Sequence, residues 1–347
     1  MEKQIIKKQK ALVTAEVVRK DLESLLGDRI EFTYAGYNLD HEVLPRQELC
    51  KKIKGFDILV CEYDTISKDV FKAADKLKLI ICCRGGVKSV IDLEAAKKSQ
   101  VVVCNNVGRN AGAVTDLVIA YILNLTRNIT KTNNLIHDRK LVGAKSTKPK
   151  EYQDTVWGLD NNSPFIRFRG RSINHMTLGI VGYGHVGHIL AQKANALGME
   201  VIAYDPWFAA ANAPNYVEGV TLPELLKTAD VVSVHCALCD ATRDMFNARR
   251  FKAMKKGAYF INTSRGEVVV EEDLVGALKS GKLAGAALDV TRQEPIPEDS
   301  QLVGCPNLLL TPHIAGSADD VQACGTHMVI ESLRAYLEGA MPPHKVD

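Results

Sequence analysis

The chain has 347 residues, 46% of them hydrophobic, 24% charged and 6% aromatic, a globular composition that excludes collagenous, mucin-like and wholly disordered classes. That length suits two domains at ~150 residues each, and a core of that size needs no metal or disulfide staple. Forty-four basic against forty-one acidic residues leave a net charge of +3, too even a balance to argue for nucleic acid or a membrane surface as partner.

The N-terminal segment MEKQIIKKQK is basic, but no apolar h-region or small-residue cleavage site follows it. The longest clear apolar run, Leu117 to Leu123, falls far short of the ~20 residues of a membrane span. A soluble, cytoplasmic protein is expected. KALVTAEV reads as a strand and VRKDLESLLG as a helix ending at Gly27; FDILVCEY, LKLIICCR and SQVVVCNN read as further strands, with KDVFKAADK and DLEAAKKS helical between them. This first α/β unit ends near Asn110. Residues 111 to 136 read as one long helix with a strongly apolar face, a connecting element. Lys140 to Arg169 is polar and irregular, and Trp157 and Phe165 are expected to pack it down. Strand and helix then alternate again through TLGIVG, EVIAYD, TLPELLKTA, DVVSVH, ARRFKAMKK, GAYFINTS, EEDLVGALKS, KLAGAALDV and NLLLTPHI, and the tail from Asp319 to about Gly339 is helical. The pattern is that of parallel sheets covered by helices.

Nine cysteines are an odd number, and Cys82 and Cys83 are adjacent; buried reduced thiols are expected rather than a disulfide framework. Cys236 and Cys239 form a lone CxxC after VVSVH, with no second pair to complete a zinc site. No metal is expected.

Gly182-Tyr183-Gly184-His185-Val186-Gly187 is a GxGxxG placed directly after the strand TLGIV and directly before the helix HILAQKANALG. A second strand, EVIAY, ends in Asp205, 18 residues after Gly187, near the ~20 expected for the acid that binds the adenosine ribose. Gly182 permits the tight turn, Gly184 lets backbone approach a pyrophosphate, and Gly187 allows the helix to pack closely on the strand. The helix start at His185 and Val186 offers unpaired N–H groups to the phosphates. Asp205 accepts from ribose hydroxyls and repels a 2′-phosphate, and no Arg follows it, so NAD is expected over NADP.

Arg265, Glu294 and His313 each sit just past a predicted parallel strand, where open α/β sheets place their ligands. Each alone suits a solvated turn or loop as well as a site. Their settings, INTSRGEVVVEEDLVGAL, LAGAALDVTRQEP and LLTPHIAGS, together with GYGHVG and Asp205, resemble the NAD-dependent D-isomer-specific 2-hydroxyacid dehydrogenases, phosphoglycerate dehydrogenase among them. The resemblance runs from about Leu79 to Gly316 and is thin before Leu79.

The resemblance implies two Rossmann-like domains, a flavodoxin-like substrate domain over 1–110 completed by 320–347 and an NAD-binding domain over 111–319, with the active site in the cleft between them. It implies that Arg265 pairs with the substrate carboxylate and polarises the 2-keto oxygen, that His313 is the general acid and base, and that Glu294 orients its ring. Asp289 would bind the nicotinamide carboxamide; His235, Cys236, Thr263 and Gly316 would line the cofactor. Backbone N–H groups at Gly85 and Gly86, with Arg84 beside them, would cradle the substrate carboxylate. A homodimer and a small 2-keto or 2-hydroxy acid substrate are further implications.

Departures from the family pattern are local. The substrate loop reads CRGGVKSVID, without the aromatic-Asp-Asn run common in the family, and HCALC replaces the more usual H-x-P-L-T. Arg84, Lys88 and Arg109 suggest a basic rim, which suits an acidic or phosphorylated substrate or a merely solvated edge. Glu294, where formate dehydrogenases carry Gln, sets formate aside. The alternative on the same fold is an NADH-sensing role in protein interaction, as in the C-terminal-binding-protein corepressors.

Overall fold

The computed structural model describes residues 8–142, 161, 163–209 and 213–346, which separate into two compact units, 1–110 with 317–347 and 111–316. The chain opens with β1 (Gln9–Val13), α1 (Arg19–Leu26), β2 (Ile30–Tyr34), α2 (Tyr37–Asp40), α3 (Arg46–Lys52), β3 (Ile58–Cys61), α4 (Lys68–Ala73), β4 (Leu79–Cys82), α5 (Leu93–Lys98) and β5 (Val102–Asn105). Its five strands form a parallel sheet in the order β2-β1-β3-β4-β5, the flavodoxin-like order. β3 (ILVC) and β4 (LIIC) are buried at every position, as strands covered on both faces must be. β2 departs furthest from this. On the sheet edge, it buries Ile30 but exposes Glu31 and Thr33, and so lacks the continuous apolar run that marks its neighbours.

The second unit begins with α6 (Ala111–Arg127), α7 (Ile129–His137) and α8 (Pro164–Arg167). The single helix expected over 111–136 is therefore two. Asn128 between them is left-handed, with φ +57, a conformation that Asn adopts more readily than most residues. Asn124 stitches the break by accepting from the Thr130 N–H at 2.9 Å and donating to its hydroxyl at 2.7 Å. Phe165 does not pack down: it is 71% exposed on α8. Trp157 lies outside the described residues.

There follow β6 (Thr177–Val181), α9 (His185–Ala196), β7 (Glu200–Tyr204), β8 (Val217–Gly219), α10 (Leu222–Thr228), β9 (Val231–Val234), α11 (Ala248–Ala253), β10 (Ala258–Asn262), α12 (Glu271–Lys279), β11 (Leu283–Leu288) and β12 (Leu308–Leu310). Seven parallel strands run in the order β12-β11-β10-β9-β6-β7-β8, so the order reverses between β6 and β9, the switch point at which doubly wound sheets bind ligands. The last helix, α13 (Asp319–Leu337), returns to the first unit and buries Val329, Ile330 and Leu333 with Leu22 and Leu26 of α1. Each unit has a core on both faces of its sheet.

All nine cysteines are free. Cys61, Cys82, Cys83, Cys104 and Cys305 are buried as expected, whereas Cys239 and Cys324 are exposed and Cys50 and Cys236 half-buried. Among the described residues no helix is long and apolar enough to cross a membrane, and no three His, Cys, Asp or Glu side chains gather as a metal site.

Candidate active site

The chain turns sharply after β6. Gly182 has φ +95, and a Cβ there would stand 2.6 Å from the Cys236 nitrogen, beyond the end of β9. Only glycine meets both conditions. A Cβ on Gly187 would stand 2.6 Å from the Gly182 carbonyl oxygen, so glycine is what seats α9 on the strand. Gly184 is different: nothing lies within 4 Å of a Cβ built there. It is the N-cap of α9 and offers no side-chain cap, which leaves the first N–H groups, at His185 and Val186, for an anion.

Asp205 follows β7. Its Oδ2 accepts from the Tyr183 N–H at 2.8 Å and its Oδ1 from the Trp207 N–H at 2.9 Å, which fixes the carboxylate beside the glycine turn and leaves each oxygen a further lone pair. A cavity of about 560 Å³ opens alongside, lined by Asp205, Pro206, Phe208, Gly219, Val220 and Thr221 among others. These features fit a dinucleotide: an open face over Gly184 for pyrophosphate and a pinned acceptor for ribose hydroxyls.

The strand ends beyond the switch point carry the remaining candidates. His235 follows β9, its ring between the Ser233 hydroxyl at 2.8 Å and the Thr263 hydroxyl at 3.4 Å. Burial pushes its pKa down to about 3, so the ring is neutral at neutral pH. Cys236, next to it, has its thiol pushed up to about 11 by burial. After β10, buried Asn262 shapes the turn: its Oδ1 accepts from the Ser264 N–H (3.0 Å) and hydroxyl (2.8 Å), and its Nδ2 donates to the Arg265 carbonyl (2.8 Å). The Arg265 side chain is thereby presented outward from an extended, exposed residue, with one Nη1 contact to the Ser264 carbonyl at 2.6 Å. Gly266 permits the turn to press on the loop after β11, since a Cβ there would lie 2.0 Å from the Thr291 carbonyl carbon.

Asp289 follows β11, fully buried, and its carboxylate is engaged by the loop after β12. Oδ1 accepts from the Thr311 hydroxyl and from the Ile314 N–H at 2.8 Å, and Oδ2 from the Ala315 N–H at 2.8 Å. The Asp289 carbonyl takes the His313 N–H, also at 2.8 Å. One acceptor position on Oδ2 remains for anything else. His313 is held left-handed, with φ +58, and its Nδ1 lies 2.7 Å from Glu294 Oε2. Glu294 is steadied in turn by the Thr291 N–H on Oε1 at 3.1 Å. Because Nδ1 faces a carboxylate, it carries the proton, and the ring presents Nε2 outward with no protein partner among the described residues. Gly316 lies in the turn two residues on from Ile314.

In the first unit Arg84, Gly85 and Gly86 form the loop after β4. Asn105 Nδ2 donates to the Gly85 carbonyl at 2.8 Å and the Asn106 N–H to the Arg84 carbonyl at 3.2 Å. A Cβ on Gly86 would meet nothing within 4 Å, and among the described residues no hydrogen bond takes up the Gly85 or Gly86 N–H. The Arg84 guanidinium lies 5.2 Å from the Tyr63 ring centroid. Arg109 does not belong to a basic rim: its side chain, 16% exposed, is paired with the buried Glu62 carboxylate. Glu62, Asn262 and Thr311 escaped the sequence reading. The first two are polar residues in apolar strand runs, the third sits inside the motif LLTPHIAGS, and none has a spacing signal of its own.

Comparison with known proteins gives this geometry its context. The family profile for the D-isomer specific 2-hydroxyacid dehydrogenase NAD binding domain matches residues 119–315. The chain is 34% identical over 306 residues to a glyoxylate reductase of Thermofilum pendens, spanning 87% of this chain and 84% of that protein. It is 30% identical over 294 residues to a hydroxypyruvate reductase of Blautia hydrogenotrophica, spanning 85% and 86%. Among solved structures, the TT0316 protein of Thermus thermophilus superimposes with a TM-score of 0.75 at 33% identity, covering 98% of this chain and all of that one.

Proposed function

The chain belongs to the D-isomer-specific 2-hydroxyacid dehydrogenases, NAD-dependent oxidoreductases, and from that premise we propose that it interconverts a small D-2-hydroxy acid and its 2-keto acid with Arg265, Glu294 and His313 as the working side chains. The observation that carries this reading is the His313–Glu294 pair, 2.7 Å apart at Nδ1 and Oε2, with the imidazole otherwise half exposed.

A bound nicotinamide would give the hydride as NADH in reduction and take it as NAD+ in oxidation; the chain's own residues handle binding and the proton. His313 Nε2 gives a proton to the developing alkoxide in reduction and takes it back in oxidation, and Glu294 holds the ring in the tautomer that permits this. The Arg265 fork pairs with the substrate carboxylate and draws electron density from the keto oxygen. Gly182, Gly184, His185, Val186 and Gly187 cradle the pyrophosphate, and Asp205 takes the ribose hydroxyls. His235, Cys236, Thr263 and Gly316 line the nicotinamide end, where Asp289 has one lone pair on Oδ2 for the carboxamide. The first unit is the substrate domain, with the N–H groups of Gly85 and Gly86, and Arg84 beside them, as a second carboxylate cradle.

We infer a substrate of the glyoxylate or hydroxypyruvate kind. Two similar proteins carry those names, and the withdrawal of Arg109 into a pair with Glu62 removes one of the three cations that favoured a phosphorylated substrate. The partner protein is a second copy of this chain. The decisive assay follows NADH oxidation against a panel of glyoxylate, hydroxypyruvate, branched-chain keto acids and phosphohydroxypyruvate. His313→Gln is expected to lower kcat at least ~100-fold, the lower range for a positioned acid–base group, with NADH binding kept. Turnover unchanged in that variant would remove His313 from the mechanism.

A further inference from the structure

Tyr121 is far along the chain from the glycine turn and the His313 turn, on α6, yet its buried hydroxyl, 4% exposed as a residue, meets the Thr311 hydroxyl. Thr311 Oγ1 in turn meets Asp289 Oδ1. The direction of these two bonds follows from the groups themselves. A carboxylate only accepts, so the single Thr311 hydrogen goes to Asp289; Thr311 then has only lone pairs for Tyr121, and Tyr121 must donate. Burial, offset in part by the Thr311 hydrogen bond and aided by the Asp289 charge, pushes the Tyr121 phenol up to about 12, so that hydrogen stays in place across the working range of pH.

What the relay ends on is the turn that carries His313. Asp289 holds this turn at the Thr311 hydroxyl and at the N–H groups of His313, Ile314 and Ala315. His313 itself has φ +58, a conformation that non-glycine residues keep only where their surroundings impose it. The Asp289 contacts are that imposition, and the Thr311 hydroxyl is its one side-chain member. Without the Tyr121 donor, the Thr311 oxygen loses one of its two hydrogen bonds, and the bond it gives to Asp289 loses the polarisation that the tyrosine supplies.

We propose that Tyr121 is a positioning residue for the reaction: through Thr311 it commits the Asp289 carboxylate to the 311–315 turn and so fixes the imidazole of His313 against Glu294. The inference rests on His313 being the proton donor and acceptor. It adds a residue of the helical layer, 190 positions away in sequence from its contact, to the machinery of the site.

The test is a double-mutant cycle on the intact protein, with NADH and glyoxylate or hydroxypyruvate as probes. Tyr121→Phe, which keeps the buried ring, is expected to lower kcat about fivefold, in line with the loss of one neutral hydrogen bond, with the keto acid KM and the NADH Kd within about twofold of wild type. Thr311→Val, which breaks both bonds, should lower kcat roughly twentyfold, and Thr311→Ser should restore it to within about twofold. The double variant should be no slower than Thr311→Val, because the tyrosine acts only through that hydroxyl. A double variant whose loss is the product of the two single losses overturns the relay, as does a Tyr121→Phe enzyme with wild-type kcat. His313→Gln measured alongside separates the two readings. Loss of turnover there with wild-type Tyr121→Phe overturns this inference alone, and wild-type turnover there overturns both.

Discussion

At the scale of single residues, His235 ties the site to the stability of its unit. Its ring is desolvated beyond β9 and its pKa falls from 6.5 to about 3. Because the folded value lies below the unfolded one, the unfolded chain takes up a proton first as the solution is acidified. The stabilisation is therefore complete above about pH 6.5 and drains away as pH falls from there toward 3. Asp230 does not confuse this window. Burial alone would raise its pKa, but Lys255 and Arg171, both 2.9 Å from Oδ1, outweigh burial and hold the carboxyl below 3.8. In His235→Gln, the dependence of unfolding free energy on pH between 6.5 and 4 should be shallower by about one proton. Urea denaturation at several pH values measures it, and equal slopes in the two proteins would mean that the ring is hydrated in the folded state.

At the scale of elements, what could be read from the sequence was what is local. The turn between β6 and α9 is specified by glycines at fixed offsets, and each glycine meets the constraint its place in the motif implies: positive φ at Gly182, open space at Gly184, contact with the Gly182 carbonyl at Gly187. The buried strands announced themselves as unbroken apolar runs. β2, half exposed on an edge, did not, and neither did the break at Asn128, because a left-handed Asn inside a helical pattern carries no signal in the periodicity. The Tyr121–Thr311 and Glu62–Arg109 contacts join residues from distant elements, which no window along the chain spans. The glycines give an element-level prediction. Gly187→Ala forces α9 off the turn and should weaken NADH binding and destabilise the unit by ~1–3 kcal/mol, the usual range for overpacking. Gly184→Ala has room for its methyl and should cost no more than the ~1 kcal/mol by which alanine is the poorer N-cap, while weakening NADH binding at least about tenfold, because the methyl occupies the face offered to the pyrophosphate. Fluorescence titration with NADH beside thermal melting separates the two. Equal loss of stability in both variants would mean that Gly184 is a packing glycine.

At the scale of the whole molecule, the apolar surface left over bears on the second copy. Each unit buries both faces of its own sheet, yet Leu123, Ile129, Ile136, Val142 and Phe165 are exposed along α6, α7, α8 and the residues beside them, Phe165 most of all at 71%. Exposed large apolar side chains scattered singly are ordinary; several within one stretch mark an interaction surface. A two-fold axis through such a surface would set the same helices of two copies against each other. The protein should therefore sediment as a dimer at micromolar concentration. Phe165→Asp places a charge where an aromatic anchor is expected, and loss of such an anchor costs at least ~2 kcal/mol, which weakens the dimer roughly 30-fold. Ile129→Asp should act in the same direction. Neither residue belongs to the glycine turn, Asp205 or the His313 turn, so NADH affinity should persist in both variants. A wild-type protein that sediments as a monomer throughout, or variants that dimerise as tightly as wild type, would move the interface off these helices.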